Sequence, residues 1–504
     1  MADVDIDAVA EHLPEAAAPP RSFLRSELLG PCPASLSELE TLLCGNDESC
    51  SRLPQSSHSQ PLNSSGQPLN SYDQPSSSHR QPLNSYDQPS SSHRQPLNPY
   101  PALREAVRVF DDRFSLNGPG TFSAHLLPSI WQWAREAVDL FSMPAVLHTS
   151  SFPDGSSSRT SYTARTARHI LANAFLLNVD EALESISPLL KVARYRSIDF
   201  APLYREEYSS VGVERTLALL VYFYQMRDAS NVHLERLITV EKRTSRDLLR
   251  QPDWASSQVR INSTNVLQPA WTSSQVRINS INVFVNTGKM EEYENAAFVN
   301  FANRLLHIHQ VIPSATQEEI LFSACPEMFV AILYSPETRD DQVVRFTGVK
   351  RFIEYTGFRE SFKVSGIFGG LESGITEVVS LDAVAHNHFK LKNVNRDIAK
   401  AYTGFSSCER AIISSGQWGC GAFGGDPDHK FLQQVIAAAM AGKQLAISTF
   451  GRHDLLQRHC ELLDAIDGKT VSQVYNSVIR VDESWSRTES YKDAFLAEFR
   501  KTIE

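Results

Sequence analysis

The stretch that most limits what this chain can fold into is Ala411–Gly442, reading AIISSGQWGCGAFGGDPDHKFLQQVIAAAMAG. Its first residues are apolar and β-branched, as in a short buried strand. Gly416, Gly419, Gly421, Gly424 and Gly425 follow within ten positions, and after Pro427 a helical pattern runs to Gly442. In such a strand–loop–helix unit, glycines turn with positive φ and let a ligand approach the backbone closely. Their N–H groups can wrap a phosphate, and the helix adds the positive end of its dipole. The loop has neither the GxGxxG dinucleotide pattern nor the GK[ST] ending of a Walker A loop. On composition alone it reads equally well as an ordinary tight turn.

The rest of the chain narrows the class. Its 504 residues leave room for two or three domains, and 42% hydrophobic with 21% charged residues is ordinary for a soluble globular protein. A net charge of −10 argues against a broad basic surface for nucleic acid, so a polyanion would have to be held by local backbone donors. The seven cysteines (Cys32, Cys44, Cys50, Cys325, Cys408, Cys420 and Cys460) are odd in number, with no CxxC pair. That pattern favours a reducing compartment and carries no zinc signature. Leu217–Tyr224, the longest strongly apolar run, is too short to span a bilayer. The opening MADVDIDAVAEHLPE lacks the apolar segment of a signal peptide, and no dense Lys/Arg cluster is visible. The expectation is a soluble intracellular protein.

Residues 1–98 are expected to be a disordered tail with tandem repeats. The unit QPLNSYDQPSSSHR starts at Gln67, recurs at Gln81 and begins again at Gln95. It is too poor in apolar residues to offset the entropy of ordering. Weak helical patterns precede it at Val4–Ala17 and Leu36–Leu43. Residues 99–255 are expected to form a mostly helical accessory region, with helices at Ala102–Phe114, Leu126–Ala145, Thr163–Leu177 and Val213–Met226. A second duplication follows, Gln251–Leu267 repeated as Gln268–Phe284, and the VRIN alternation of the second copy suggests the first strand of a sheet. From 256 to 504 the pattern is α/β, a three-layer mixed sheet. Strands are expected at Val343–Phe352, Ile375–Val384, AIISS and Gln444–Phe450. Helices are expected at Thr316–Ile332, Asn393–Tyr402, Pro427–Ala441 and Val471–Ile479.

The candidate for chemistry is Ser314–Val330, SATQEEILFSACPEMFV. Thr316-Gln317-Glu318-Glu319 is itself a capping box, with Glu319 reaching back to the N-cap backbone, so a structural role competes with a catalytic one. Upstream lies AAFVNFANR (Ala296–Arg304), and thirteen residues separate Asn303 from Gln317. Together with GQWGCGAFGGD and STFG (Ser448–Gly451), these motifs resemble the poly(ADP-ribose) glycohydrolase family along nearly all of residues 125–480. HILANAFLL (His169–Leu177), SIDFAPLY (Ser197–Tyr204) and ERTLALLVYFY (Glu214–Tyr224) resemble its helical accessory segment.

The resemblance implies a macrodomain-like fold and hydrolysis of the ribose–ribose O-glycosidic bonds of poly(ADP-ribose). It implies Glu319 as the catalytic residue, titrating high enough to donate a proton, with Glu318 beside it on ribose hydroxyls together with Asn300, Asn303 and Gln317. Gly419, Cys420, Gly421, Ala422 and Phe423 would cradle the diphosphate, and Phe450 would stack on adenine. Gly357 and Phe358 would close over the ligand, and Met290 and Glu291 would meet the adenine edge. No metal or other cofactor is implied. The implied partners are poly(ADP-ribose), ADP-ribose and poly(ADP-ribosyl)ated proteins, with no membrane and no sequence-specific nucleic acid, in nucleus or cytoplasm.

Four departures cluster on the ligand side. His307, Ile308 and His309 stand where the family has three consecutive glycines. Asn300 replaces the aspartate of VDFAN, Phe358 replaces the tyrosine of TGY, and Arg452 replaces an acidic residue after TFG. The alternative reading is therefore a catalytically impaired homologue that binds ADP-ribose without hydrolysing it.

Overall fold

The computed structural model describes residues 30–46, 99–114, 121–136, 158–178, 198–207, 209–244, 269–293, 295–333, 335, 337–370, 373–481 and 490–503. The tail repeats, the Val4–Ala17 pattern and the first copy at 251–267 lie outside them. Among the described residues, five helices of eight or more residues precede the α/β part: α1 (Leu36–Asn46), α2 (Pro101–Arg113), α3 (Leu127–Ala134), α4 (Ala164–Phe175) and α5 (Val211–Arg227). α4 starts where the Thr163 hydroxyl accepts a bond from Thr166 N at 3.1 Å, a normal N-cap. α5 is apolar almost all round and is buried from Leu217 to Phe223, as befits a core helix. Phe175 of α4 meets Tyr204 and Phe223 edge-on, with ring centroids 5.8 and 5.6 Å apart. The expected Leu126–Ala145 helix ends at Ala134 among the described residues.

The strands are β1 (Ser158–Thr163), β2 (Leu237–Thr244), β3 (Val283–Asn286), β4 (Ala296–Ala302), β5 (Gln342–Lys350), β6 (Ile353–Thr356), β7 (Lys363–Ile367), β8 (Ile375–Asp382), β9 (Ile412–Ser415) and β10 (Gln444–Ser448). Eight of them form one mixed sheet in the order β1-β2-β5-β8-β4-β9-β10-β3, and β6 and β7 form a separate hairpin. The run from β8 to β3 is parallel, whereas β1, β2 and β5 join antiparallel. Parallel neighbours need crossovers, and helices lie on them: α6 (Gln317–Ala324), α7 (Leu391–Ser407) and α8 (Pro427–Ala441), whereas α9 (His453–Ile466), α10 (Val471–Val478) and α11 (Tyr491–Ile503) follow the last strand.

Three local expectations change. First, β1 and β2 come from residues before 256, so the helical region and the α/β region share one sheet. Second, VRIN (276–279) is not a sheet strand. Val276 and Ile278 bond to the turn at Gly468–Val471, Asn279 then caps a short 3-10 turn, and the sheet strand starts only at Val283. Third, the expected helix 316–332 breaks after Ala324 and continues as 3-10 from Pro326. Pro326 has no N–H and pushes Cys325 out of the helical region (φ −124°, ψ 69°). By contrast, α8 matches its expected bounds. Asp426 caps it by accepting from Asp428 N and His429 N, both at 3.0 Å, and Gly442 ends it in the left-handed region at φ 63°.

Candidate active-site cleft

β9 ends at Ser415, and the chain then folds into a glycine loop before α8. Trp418 is buried beneath this loop and donates its indole N–H to Leu381 O at 2.9 Å. Gly419 turns with φ 75°, and a Cβ there would lie 2.7 Å from Ala383 Cβ, so only glycine fits. The loop closes on itself through Cys420 N to Gln417 O, Gly424 N to Gly421 O and Gly425 N to Gly419 O. The backbone N–H groups of Gly419, Gly421, Ala422 and Phe423 donate to no partner among the described residues. All four residues line one cleft of about 370 Å3. Unspent donors on a glycine loop are what a phosphate requires.

The cleft runs from this loop to the start of α6. It is lined by Met290, Glu291, Thr316, Gln317, Ile320 and Tyr355, and by Phe358, Arg359, Phe450 and Arg452 at its rim. Phe358 and Phe450 stay 38% and 42% exposed and meet edge-on, with centroids 6.1 Å apart. Two half-exposed rings at a cleft mouth form a stacking surface for a planar base. Deeper in, Glu291 accepts from the Tyr355 hydroxyl at 2.9 Å, and burial raises its carboxyl above the usual range. Thus the loop residues, both aromatics, Met290, Glu291 and Gln317 line one cleft.

The two glutamates and two asparagines do not line the cleft. At about 100° per residue, Thr316, Gln317 and Ile320 share the cleft face of α6, which places Glu318 on the far side and Glu319 at the edge. Glu318 Oε1 accepts from Asn300 Nδ2 and from His307 N, each at 3.0 Å, and Oε2 accepts from Asn303 N at 3.4 Å. Asn300 is fully buried and also donates to Ser380 Oγ, so it is a structural partner rather than a ribose contact. An aspartate at 300 could not donate to Glu318 in this way. Asn303 Oδ1 accepts from Leu305 N at 3.1 Å. Gln317, although in the cleft wall, spends its amide on β4, accepting from Phe301 N at 2.7 Å and donating to Val299 O at 3.1 Å.

The acid–base expectation is also reversed. Burial, reinforced by the negative charge of Glu319, pushes Glu318 up to about 8. Glu319 is held below its usual range: burial pushes it up, but the charge of Arg215 and the bonds from Thr316 outweigh that. Its Oε2 accepts from Thr316 N at 2.9 Å and from the Thr316 hydroxyl, which closes the capping box. The raised carboxyl is thus the first glutamate of the pair, not the second.

Beside them lies the substituted turn. His307, Ile308 and His309 all have positive φ, at 52°, 48° and 54°. Left-handed backbone at a non-glycine residue costs on the order of 1–3 kcal/mol each, so the turn keeps the glycine geometry without glycines. His307 is fully buried, against Phe322 and Phe329, and the turn contributes nothing to the cleft lining. The replacement therefore fills space behind α6 and leaves the cleft open.

Sequence reasoning missed Tyr355, Arg359 and Thr316 in the cleft wall. Tyr355 and Arg359 flank the TGF motif, so their place on the β6–β7 hairpin was the available signal. Arg215 is the other omission, a buried charge beside Glu214 on a mostly apolar helix.

Residues 268–457 match the family model described as poly (ADP-ribose) glycohydrolase (PARG), macro domain fold. Poly(ADP-ribose) glycohydrolase 2 of Caenorhabditis elegans is 31% identical over 244 residues, covering 42% of this chain and 50% of that protein. Poly(ADP-ribose) glycohydrolase 1 of the same organism is 30% identical over 202 residues, covering 34% and 26%. The match spans half or less of the length of these relatives. A crystal structure of PARG from Thermomonospora curvata aligns over 49% of this chain and 98% of that one, at 13% identity with a TM-score of 0.26, a likeness too low to carry weight. Residues 268–457 are thus similar to the poly(ADP-ribose) glycohydrolase family, whose model is described with a macro domain fold.

Proposed function

We propose that this protein hydrolyses the ribose–ribose O-glycosidic bonds of poly(ADP-ribose) and releases ADP-ribose. The observation that carries this reading is the single cleft that joins the unspent N–H groups of Gly419–Phe423 to the start of the helix bearing Glu318 and Glu319. A diphosphate sits on the loop, the adenine stacks on Phe450 and Phe358, and the distal ribose reaches Thr316. Cleavage needs a proton on the leaving oxygen while an oxocarbenium-like centre develops. We assign its delivery to Glu319, at the cleft edge, which then takes a proton from the water that attacks the oxocarbenium-like carbon. A ribose hydroxyl replaces Thr316 as its partner, and exclusion of water lifts its carboxyl by the same burial that already acts on it. Glu318, protonated near neutrality, holds the loop behind it.

The test is release of ADP-ribose from labelled polymer by the purified full chain and by Glu319→Gln. The wild type should release it, and the variant should be slower by about two orders of magnitude or more. Equal release by both would remove Glu319 from the mechanism. A second reading is favoured by one observation, the hold of Thr316 on Glu319. On that reading the protein binds ADP-ribose without cleaving polymer, and calorimetric binding with no release selects it.

The protein partners we propose are poly(ADP-ribosyl)ated proteins, which present the same polymer. The compartment we propose is nucleus or cytoplasm, supported by the reduced thiols of Cys32, Cys325, Cys408, Cys420 and Cys460. Among the described residues no helix is long and apolar enough to cross a membrane.

A further inference from the structure

Arg215 lies on α5, in the helical region, and lines no part of the cleft. It is nonetheless only 1% exposed, and its guanidinium makes four bonds, one to α6 and three to the chain between β4 and α6. Nε donates to Ser323 Oγ at 3.0 Å, and Nη1 donates to Ile312 O at 2.6 Å and Ser314 O at 3.0 Å. Nη2 lies 3.1 Å from His307 Nε2. Because His307 Nδ1 is 2.6 Å from Gln310 O, the ring carries its proton on Nδ1, and Nε2 accepts from the arginine. His307 N donates in turn to Glu318 Oε1. A continuous path therefore links α5 to Glu318 through His307, the first of the three left-handed residues.

Three glycines would adopt this turn without help. Three side chains, one of them β-branched, have to be kept there, and a planar five-donor fork is suited to fixing two carbonyls and a ring nitrogen at once. We propose that Arg215 is a positioning residue that reaches from the helical region to hold the His307–His309 turn, and through it the Glu318–Glu319 pair, in working geometry. The arginine offsets the loss of the glycines, and α5 becomes part of the site without touching substrate. Burial next to Arg215 keeps the His307 ring neutral, pushing its pKa down to about 4, which suits an acceptor nitrogen.

The consequence for rate rests on the hydrolase reading; the clamp itself does not. Four full-length proteins test it: wild type, Arg215→Lys, the triple change His307→Gly/Ile308→Gly/His309→Gly, and all four changes combined. Lysine keeps the charge and loses the fork, and it is a milder change than methionine where folding is at stake. With the native turn, Arg215→Lys should lower kcat tenfold or more while KM moves less than about threefold. With the glycine turn, the same change should lower kcat less than about threefold. An equal fall in both backgrounds, or no fall with the native turn, overturns the proposal. If the wild type releases no ADP-ribose, the hydrolase reading fails by itself. The unfolding midpoints of the four proteins then decide the clamp: a smaller loss from Arg215→Lys in the glycine background supports it, and additive losses sink it.

Discussion

Glu318 is the residue whose chemistry departs furthest from its ordinary behaviour. Its carboxyl is raised by burial and by Glu319, and the groups facing it are His307, Glu319, Asn300 and, through His307, Arg215. A carboxyl with a native pKa near 8 and an unfolded value near its usual one binds more protons folded than unfolded between those limits. Its contribution is complete below the unfolded value and is lost as pH rises towards 8. His307, lowered to about 4, acts in the opposite direction: its contribution is complete above the ordinary imidazole pKa and is lost as pH falls. The two therefore offset each other in mildly acidic solution, and Glu318 alone acts above the imidazole range. Wild-type stability should fall by on the order of 2 kcal/mol between roughly pH 6.5 and pH 8. Glu318→Gln, which keeps the acceptor oxygen, should flatten that decline. Urea unfolding at a series of pH values checks it, and identical slopes for the two proteins would refute the assignment. None of this was legible in the residues, because which of two adjacent buried glutamates faces β4 and which is held by Thr316 depends on how the helix is seated. Residue types marked the site, but the division of labour within QEE required the fold.

At the scale of elements, the glycine loop and α8 could be read directly, since Asp426, Pro427 and Gly442 mark helix ends through local backbone chemistry alone. Elements set by distant contacts were less accessible. VRIN alternates like a strand, yet pairs with the turn at Gly468–Val471, nearly two hundred residues away. The turn at His307–His309 is the sharpest case, as its composition argues for rearrangement and its surroundings impose the left-handed form. Ile308, at φ 48°, permits a direct check. Glycine normally destabilises relative to alanine; here Ile308→Gly should be more stable than Ile308→Ala by about 1 kcal/mol, since only alanine pays the left-handed penalty. Thermal or urea unfolding of the two variants measures this, and the ordinary order would show that the turn is not held as described.

For the whole molecule, the main finding is that one sheet incorporates both regions. β2 lies between β1 and β5, and β5 would become a bare edge without it. The buried Arg345 on β5 is paired with Glu241 of β2 at 3.3 Å as well as with Glu377 of β8. Removing the earlier strands thus strips backbone bonds, a buried charge partner and the Arg215 fork together. Residues 256–504 expressed alone should show no cooperative transition by circular dichroism, whereas residues 30–504 should unfold in one. A sharp transition in the shorter fragment would show that the sheet closes without β1 and β2. The helical stripes of 99–255 were legible as core-facing helices, but two short strands separated by some seventy residues gave no sign of entering a sheet completed far downstream.

The antiparallel ladder that pairs Thr239–Thr244 with Gln342–Thr347 has a consequence for descent as well as for folding. The two stretches form one surface and must be inherited as a set. A recombination that imported only 268–457 from a cousin would join foreign strands in mid-sheet, so substitutions along this seam should co-vary in pairs across lineages.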